Sequence, residues 1–96
     1  MKPIWSARAR RDLRELLAHI AKDSDQNADL VNARILKSVE TLESMPNAGR
    51  PGRVSGTRER VVGRTSYILV YRIDSEQVHI LRVLRGTRKW PGSFPP

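Results

Sequence analysis

The chain has 96 residues, 39% of them hydrophobic, and its 18 Lys and Arg against 10 Asp and Glu give a formal net charge of +8. This length predicts one domain with a modest core, and the absence of cysteine excludes disulfide scaffolds, zinc ribbons and thiol nucleophiles. Two histidines, His19 and His79, are too few for a His-rich metal site. No segment reaches the roughly 18 apolar residues of a membrane span, and the N-terminus lacks a signal-peptide run. We expect a cytoplasmic domain without metal, cofactor or membrane contact.

The first predicted elements are a short strand and two helices. Residues 2–6 contain Ile4 and Trp5 and are typical of an edge strand, because Pro3 fits only an edge or a strand start. Ser6 can cap a helix that begins at Ala7 and ends near residues 22–24. A polar turn over residues 23–27 separates it from a second helix over residues 28–44. Two helices joined by a short turn predict an antiparallel helical hairpin.

A loop and three strands follow. Residues 46–57 contain three glycines and two prolines and form the clearest loop, of a length that often carries function. Strands are predicted over residues 58–62, 67–73 and 78–84. If Ile73 lies opposite Val78, strict alternation places Arg82 and Leu84 on the face of Ile80, and Val83 and Arg85 on the other.

The predicted architecture is therefore α+β, with a helical hairpin packed on a small antiparallel sheet in the order β-α-α-β-β-β. Residues 1–91 form the single domain, and residues 92–96 are expected to be a flexible tail.

The positive charge is concentrated in the second half. Residues 1–49 carry 8 basic and 7 acidic side chains, whereas residues 50–96 carry 10 basic and 3 acidic ones. An imbalance of this size indicates an anionic partner, although it is also compatible with a merely well-solvated surface. Nine of these residues, eight of them arginine, flank the loop and the last strand, and we expect them to meet on one concave patch. They are Arg50, Arg53, Arg58, Arg60, Arg64, Arg82, Arg85, Arg88 and Lys89.

Two residues near this set admit alternative interpretations. Arg82 interrupts an apolar run, so it either forms a structural ion pair with Glu59 or contacts an anion. Trp90 either offers a stacking platform beside the cations or folds back onto the sheet.

General acid–base chemistry has few candidates. A general base needs a pKa near the working pH, which leaves His79, Glu59, Tyr67 and Tyr71. His79 lies near a predicted turn, far along its strand from the arginines, and is interpreted as a surface histidine. The glycines of residues 49–56 lack the strand–loop–helix context of a phosphate-binding loop.

The order of the motifs resembles the RelE/ParE superfamily of toxins from type II toxin–antitoxin modules. The resemblance covers residues 5–91, and no single motif carries it. The ordered motifs are Trp5-Ser6-x-x-Ala9-x-x-Asp12-Leu13, Leu42-x-x-x-Pro46-x-x-Gly49-Arg50-Pro51-Gly52, Gly56-Thr57-Arg58-Glu59, Tyr67-Ile68-Leu69-Val70-Tyr71-Arg72-Ile73, Val78-x-Ile80-Leu81-Arg82-Val83-Leu84 and Arg88-x-Trp90-Pro91.

The resemblance implies a toxin that is neutralised in a hetero-oligomer with a co-encoded antitoxin. It also implies one of two activities. ParE-like members bind DNA gyrase and poison its DNA cleavage without catalysis of their own, whereas RelE-like members cleave mRNA in the ribosomal A site. For a gyrase poison, the residues expected at the target or antitoxin surface are Glu59, Arg60, Arg82, Arg85, Arg88, Lys89 and Trp90. For a nuclease, the phosphate would be held by Arg58, Arg60, Arg82, Arg85 and Arg88.

Departures from the RelE pattern favour the ParE-like activity. Ile68 stands where RelE-like nucleases tend to carry arginine, Arg85 stands where relatives often have histidine, and no tyrosine follows Tyr71. Arginines alone would have to transfer the proton, and a group that is always protonated is a poor general base.

Overall fold

The computed structural model describes residues 1–94, which form two helices and a five-stranded sheet. The strands are β1 (Lys2–Trp5), β2 (Arg50–Pro51), β3 (Arg58–Val61), β4 (Tyr67–Asp74) and β5 (Gln77–Arg85). The helices are α1 (Ala7–Ala21) and α2 (Asp25–Ser44), and a 3₁₀ turn covers Pro46–Ala48. The predicted order of elements is confirmed, and within residues 1–94 no helix is both long and apolar enough to cross a bilayer.

The sheet is mixed rather than antiparallel as predicted, with the strand order β1-β5-β4-β3-β2. β1 runs parallel to β5, whereas the other neighbours are antiparallel. The helical hairpin between β1 and the later strands supplies the long connection that a parallel pair needs. Two-residue β2, which sequence patterns placed inside a loop, pairs with β3 at Arg50 and Glu59.

Side-chain caps set the helix starts. The Ser6 hydroxyl accepts a hydrogen bond from the Ala9 amide at 3.0 Å, as predicted for α1. The Ser24 hydroxyl accepts one from the Asn27 amide at 3.1 Å, so α2 begins at Asp25 rather than at residue 28. The polar residues that suggested a longer turn are in fact the first turn of the helix.

One sheet face packs against the helices and holds the main core. Its buried side chains include Ile35, Leu42, Leu69, Tyr71 and Ile80. Tyr71 is fully buried; its hydroxyl donates to the Pro46 carbonyl at 2.6 Å and accepts from the Gly49 amide at 2.9 Å. This phenol ties the start of the long loop to the middle of the sheet.

A β-bulge changes the side-chain alternation in β5. Ile73 does lie opposite Val78, but Tyr71 pairs with Ile80 and Val70 with Arg82, so that Leu81 is an extra residue. Val83 therefore packs on the helix side with Ile80, and Leu84 packs on the opposite face. The alternation expected beyond Ile80 is wrong, because a bulge reverses the facing of every residue that follows it.

The opposite sheet face carries a second, smaller core. Val54 from the long loop and Phe94 from the C-terminal segment are buried there, with Trp90 packed against them. They cover Val70, Leu81 and Leu84. Of the segment expected to be a flexible tail, residues 95 and 96 lie outside the described residues.

Candidate functional site

Arg82 is held by a buried carboxylate from α1. Its Nε and Nη2 atoms donate to Asp12 at 2.7 and 3.1 Å, and the Val83 amide donates to the same carboxylate at 2.9 Å. Both side chains are about nine-tenths buried. The alternative of a structural ion pair therefore fits Arg82, but its partner is Asp12 and not Glu59. Sequence analysis missed Asp12 as a partner, although an acidic residue among the apolar positions of α1 was a usable signal.

Glu59 organises the long loop on the opposite sheet face. It is 2% exposed and accepts hydrogen bonds from the Arg53 amide at 2.7 Å, from Arg53 Nε at 3.2 Å and from Arg50 Nη2 at 3.1 Å. Burial raises the pKa of this carboxyl, but the hydrogen bonds from Arg53 and Arg50 and the charge of Arg53 outweigh it. The pKa of Glu59 consequently lies below its ordinary value of 4.5.

The lowered pKa of Glu59 makes its contribution to stability depend on pH. A carboxyl with a lower pKa in the folded state stabilises the fold above its unfolded pKa, and loses this effect as the pH falls through the folded value. We expect the difference in unfolding free energy between wild type and Glu59→Gln to be largest at pH 6–7 and to shrink steadily below roughly pH 4.5. Urea titrations at several pH values measure it. A difference that grows towards low pH would contradict the lowered pKa.

Trp90 folds back onto the sheet. Its indole N–H donates to the Arg85 carbonyl at 3.0 Å, and its ring meets Phe94 edge-on at 6.2 Å. The Arg53 guanidinium lies 3.5 Å from the ring centroid. Of the two interpretations of Trp90, the packed one fits, and Arg53 already occupies the ring face that a base would need.

The arginines of β3 lie on the helix side. Arg58 and Arg60 pair across the sheet with Tyr71 and Leu69 of the main core, whereas Glu59 pairs with Val70 of the second core. Arg58 donates to the Asn47 carbonyl at 3.2 Å. Adjacent strand residues face opposite sides, so Arg60 cannot share a surface with the Glu59 cluster.

Three neighbouring concavities on the helix side share lining residues, and together we call them the basic groove. The first lies between α2 and β3, the second beneath the β3–β4 turn, and the third between α1 and the end of β5. Arg34 lines the first and second, and Tyr67 and Arg85 line the second and third. Each encloses between about 290 and 360 Å³. The cations of this basic groove are Arg34, Lys37, Arg60, Arg64, Arg85 and Arg88.

The expected single patch of nine basic residues is wrong. The structure brings Arg60, Arg64, Arg85 and Arg88 to the basic groove. It places Arg50 and Arg53 on Glu59, and Arg82 on Asp12. Side-chain alternation in β3 and the bulge in β5 orient these basic residues towards different faces of the sheet. Lys89 is exposed beside Trp90, and Arg34 and Lys37 of α2 join the groove without having been predicted.

Three of the four candidate general bases, Glu59, Tyr71 and His79, lie away from the cations of the basic groove, whereas Tyr67 lines it. The Tyr71 hydroxyl is already engaged in the core, and Glu59 is held by Arg50 and Arg53. His79 pairs with Ile4 and Arg72 near the start of β5, six residues and roughly 20 Å from Arg85. Tyr67 is buried beneath Arg85, whose guanidinium lies 5.8 Å from its ring centroid. His19 and Glu15 of α1, which were not among these candidates, line the same concavity as Arg85 and Arg88.

Comparisons with known proteins agree with this architecture. Residues 4–90 match the family described as "ParE toxin of type II toxin-antitoxin system, parDE". The chain is 45% identical over 87 residues, 91% of its length and 90% of the relative's, to the protein named "Putative toxin Y4kP" of Sinorhizobium fredii (strain NBRC 101917 / NGR234).

Two solved structures are similar over 88% of this chain and 95% of their own. A chain of the chromosomal ParDE toxin–antitoxin system from P. aeruginosa superposes with a TM-score of 0.80 at 27% identity. A chain of the RelBE2 toxin–antitoxin complex from Mycobacterium tuberculosis gives a TM-score of 0.57 at 30% identity. With the family match spanning nearly the whole fold, the chain belongs to the ParE toxin family of type II toxin–antitoxin systems.

Proposed function

We propose that this ParE-family toxin acts in the cytoplasm by binding DNA gyrase and poisoning its DNA cleavage, and that a co-encoded antitoxin neutralises it in a hetero-oligomer. The observation that carries the proposal is the family match over residues 4–90, together with a TM-score of 0.80 to a ParDE chain against 0.57 to a RelBE2 chain. A poison of this kind needs a binding surface and no catalytic group of its own.

The distribution of polar groups supports binding over catalysis. Cleavage of RNA at its 2′-hydroxyl needs a group that accepts a proton beside the cations that hold the phosphate. Arg85 and Arg88 are exposed, but a guanidinium stays protonated and serves only to stabilise charge. Glu59 and the Tyr71 hydroxyl are hydrogen-bonded elsewhere, Tyr67 is buried, and Glu15 is paired with Arg11. Of the candidates named here and the residues that line the concavity of Arg85 and Arg88, His19 is left to accept a proton.

The proposed target surface is the C-terminal end of β5 and the segment after it. Arg85, Arg88 and Lys89 are exposed there, beside half-buried Trp90. Arginine and tryptophan are frequent in the energetically dominant part of interfaces. Arg60 lies at the far end of the basic groove, while Glu59 and Arg82 act as positioning residues, because each holds a neighbouring segment through buried hydrogen bonds.

A supercoiling assay with purified gyrase tests the proposal. We expect wild-type toxin to inhibit supercoiling and to trap cleaved DNA, and Arg88→Ala/Lys89→Ala to need at least about tenfold more protein, since loss of about 1.4 kcal/mol of binding is tenfold in affinity. Arg10→Ala/Arg14→Ala is the matched control, because both residues are exposed on α1 and line none of the three concavities. Wild-type toxin that leaves supercoiling intact and traps no cleaved DNA removes gyrase as the target.

The alternative is a RelE-like ribosome-dependent mRNA endoribonuclease. The 30% identity to a chain of the RelBE2 complex favours it. Its phosphate contacts would be Arg58, Arg60, Arg85 and Arg88, whereas Arg82 is already paired with Asp12. Primer extension on mRNA from cells expressing the toxin distinguishes the two: cuts in translated codons support the nuclease. Intact mRNA in growth-arrested cells rejects it.

A further inference from the structure

The basic groove carries a concentration of positive charge that no carboxylate within the described residues neutralises, although Arg34 donates to the Arg64 carbonyl at 3.4 Å and Arg85 lies over the Tyr67 ring. Among residues 1–94, none of its six cations forms an ion pair, whereas Arg50, Arg53 and Arg82 all do. The Nε atom of Arg60 is buried and finds no hydrogen-bond partner within the described chain. Uncompensated cations brought together in a concavity repel one another, and a bound anion would relieve this repulsion.

Two acidic side chains line the groove, and each is engaged by an arginine, while Glu40 and Glu43 line a separate concavity beyond Lys37 and Thr41. Asp12 and Glu15 line its α1 end. Asp12 is engaged by Arg82 at 2.7 Å, and Glu15 lies 3.1 Å from Arg11. The remaining lining residues, among them Ser38, Thr41, Thr65 and Ser66, are uncharged or basic. The six cations of the groove therefore exceed its two acidic lining residues, which gives it a net positive charge.

The dimensions of the groove suit a chain of anions rather than a single one. It follows α2 from Asn27 to Thr41, which at 1.5 Å per residue is about 21 Å. Duplex DNA presents a phosphate about every 1.7 Å of its axis when both strands are counted, so a duplex lying along this length offers at least as many phosphates as the groove has cations. Five of the six cations are arginine, whose planar donor fork matches phosphate oxygens.

The groove is poorly suited to a peptide or to unpaired bases. Peptide docking relies on apolar anchors, and of the large apolar side chains that are exposed in residues 1–94, only Leu30 lines the groove. Base stacking needs an open aromatic face, but Tyr67, the aromatic residue of the groove, is 7% exposed. These features favour contact with a sugar–phosphate backbone whose bases remain paired.

We propose that the basic groove binds the phosphate backbone of duplex DNA without regard to sequence. This goes beyond gyrase poisoning and does not depend on it, because the groove would contact DNA in the absence of any other protein. Were gyrase the target, the same contact would let the toxin hold the DNA on which the enzyme acts.

Fluorescence anisotropy with two fluorescein-labelled 20-bp duplexes of unrelated sequence tests the proposal. Between 50 and 200 mM KCl, we expect equal affinity for both duplexes and a plot of log K against log[KCl] with a slope between about −3.6 and −5.4, as four to six phosphate contacts would give. A labelled single strand of the same length should bind more weakly. Poly-glutamate tests the peptide alternative: tight binding of poly-glutamate with no binding of duplex overturns the proposal, as does the absence of duplex binding at 50 mM KCl.

Charge-matched variants locate the site. Arg34→Gln/Arg64→Gln should weaken duplex binding roughly 60-fold at 0.1 M salt and make the slope shallower by about 1.8, since each phosphate contact contributes about 0.9 to it. Arg10→Gln/Arg14→Gln removes the same charge from a surface outside the groove and should change the slope by less than about 0.5. Equal losses in the two variants would show a general charge effect and overturn the proposal.

Substitution of one exposed residue gives a variant that is expected to fold like the wild type. Lys37 is exposed and makes no side-chain hydrogen bond within residues 1–94, so Lys37→Gln should retain the wild-type melting temperature. It should nevertheless weaken duplex binding roughly eightfold at 0.1 M salt, with a slope shallower by about 0.9. Unchanged binding by this variant and by a folded Arg34→Gln/Arg64→Gln would place the DNA elsewhere.

Discussion

Replacing Asp12 with alanine should lower the free energy of unfolding by about 3–5 kcal/mol. The substitution leaves the Arg82 guanidinium, which is 11% exposed, without its carboxylate, and it leaves the Val83 amide without an acceptor. Breaking a buried ion pair from one side costs more than the pair contributes, because the remaining charge stays desolvated. Against a typical total of roughly 5–15 kcal/mol, the variant should be close to unfolding at 37 °C.

Urea denaturation of two further variants tests the physical cause. Glu15→Ala removes a carboxylate from an exposed ion pair one turn along α1 and should cost less than about 1 kcal/mol. Asp12→Ala/Arg82→Met removes both charges and should be more stable than Asp12→Ala alone, because no unpaired charge remains buried. A double variant less stable than the single one would show that the charge of Arg82 is not the source of the loss.

Gly49→Ala should cost about 3 kcal/mol, from overpacking and from the disturbed hydrogen bonds of Tyr71. The backbone of Gly49, with φ −77° and ψ 155°, suits any residue. Its neighbours, however, leave no room for a side chain. A Cβ atom would lie 2.5 Å from the Tyr71 hydroxyl, 2.7 Å from Cε1 of the same ring and 2.8 Å from the Glu59 carbonyl. Because Tyr71 is fully buried, its ring has no free space into which to move.

The control for this prediction is Gly63→Ala. Gly63 lies in the turn after β3, and a Cβ atom there would meet nothing within 4 Å. Alanine at this position should be neutral or should stabilise by less than about 1 kcal/mol, because it restricts the unfolded chain. Comparison of the two thermal unfolding midpoints measures the contrast. Equal midpoints would show that the loop next to Tyr71 can shift to accommodate the added methyl group, and would contradict the prediction.

These two variants bear on function through different segments of the fold. Asp12 fixes α1 to the end of β5, directly before Arg85 and Arg88, so its loss should also displace the α1 end of the basic groove. Gly49 and Tyr71 fix the start of the long loop on the main core, and the same loop reaches Glu59 and Trp90 through Arg53. Positions remote from the proposed target surface therefore determine its shape.

Local patterns were sufficient for both helices and for β1, β3, β4 and β5, but not for β2 or for the start of α2. The apolar spacing of the helices, the Ser6 hydroxyl, and the β-branched runs of β4 and β5 each act over a few residues, so the local sequence specifies them. The resemblance to ParE toxins was recognisable from the order of the sequence motifs. The pairing of Ile73 with Val78 also followed from the sequence. The concentration of arginine in the second half of the chain likewise required no structure to recognise.

The grouping of the charged side chains was decided only by the tertiary structure. One extra residue at Leu81 reverses the facing of β5, and the partner of Arg82 comes from a helix seventy positions earlier. The basic groove joins Arg34 and Lys37 of α2 to Arg85 and Arg88 from the far end of the chain. Electrostatic partners are set by distances in space, and a bulge or a helix crossing alters those distances without leaving a periodic signal in the sequence.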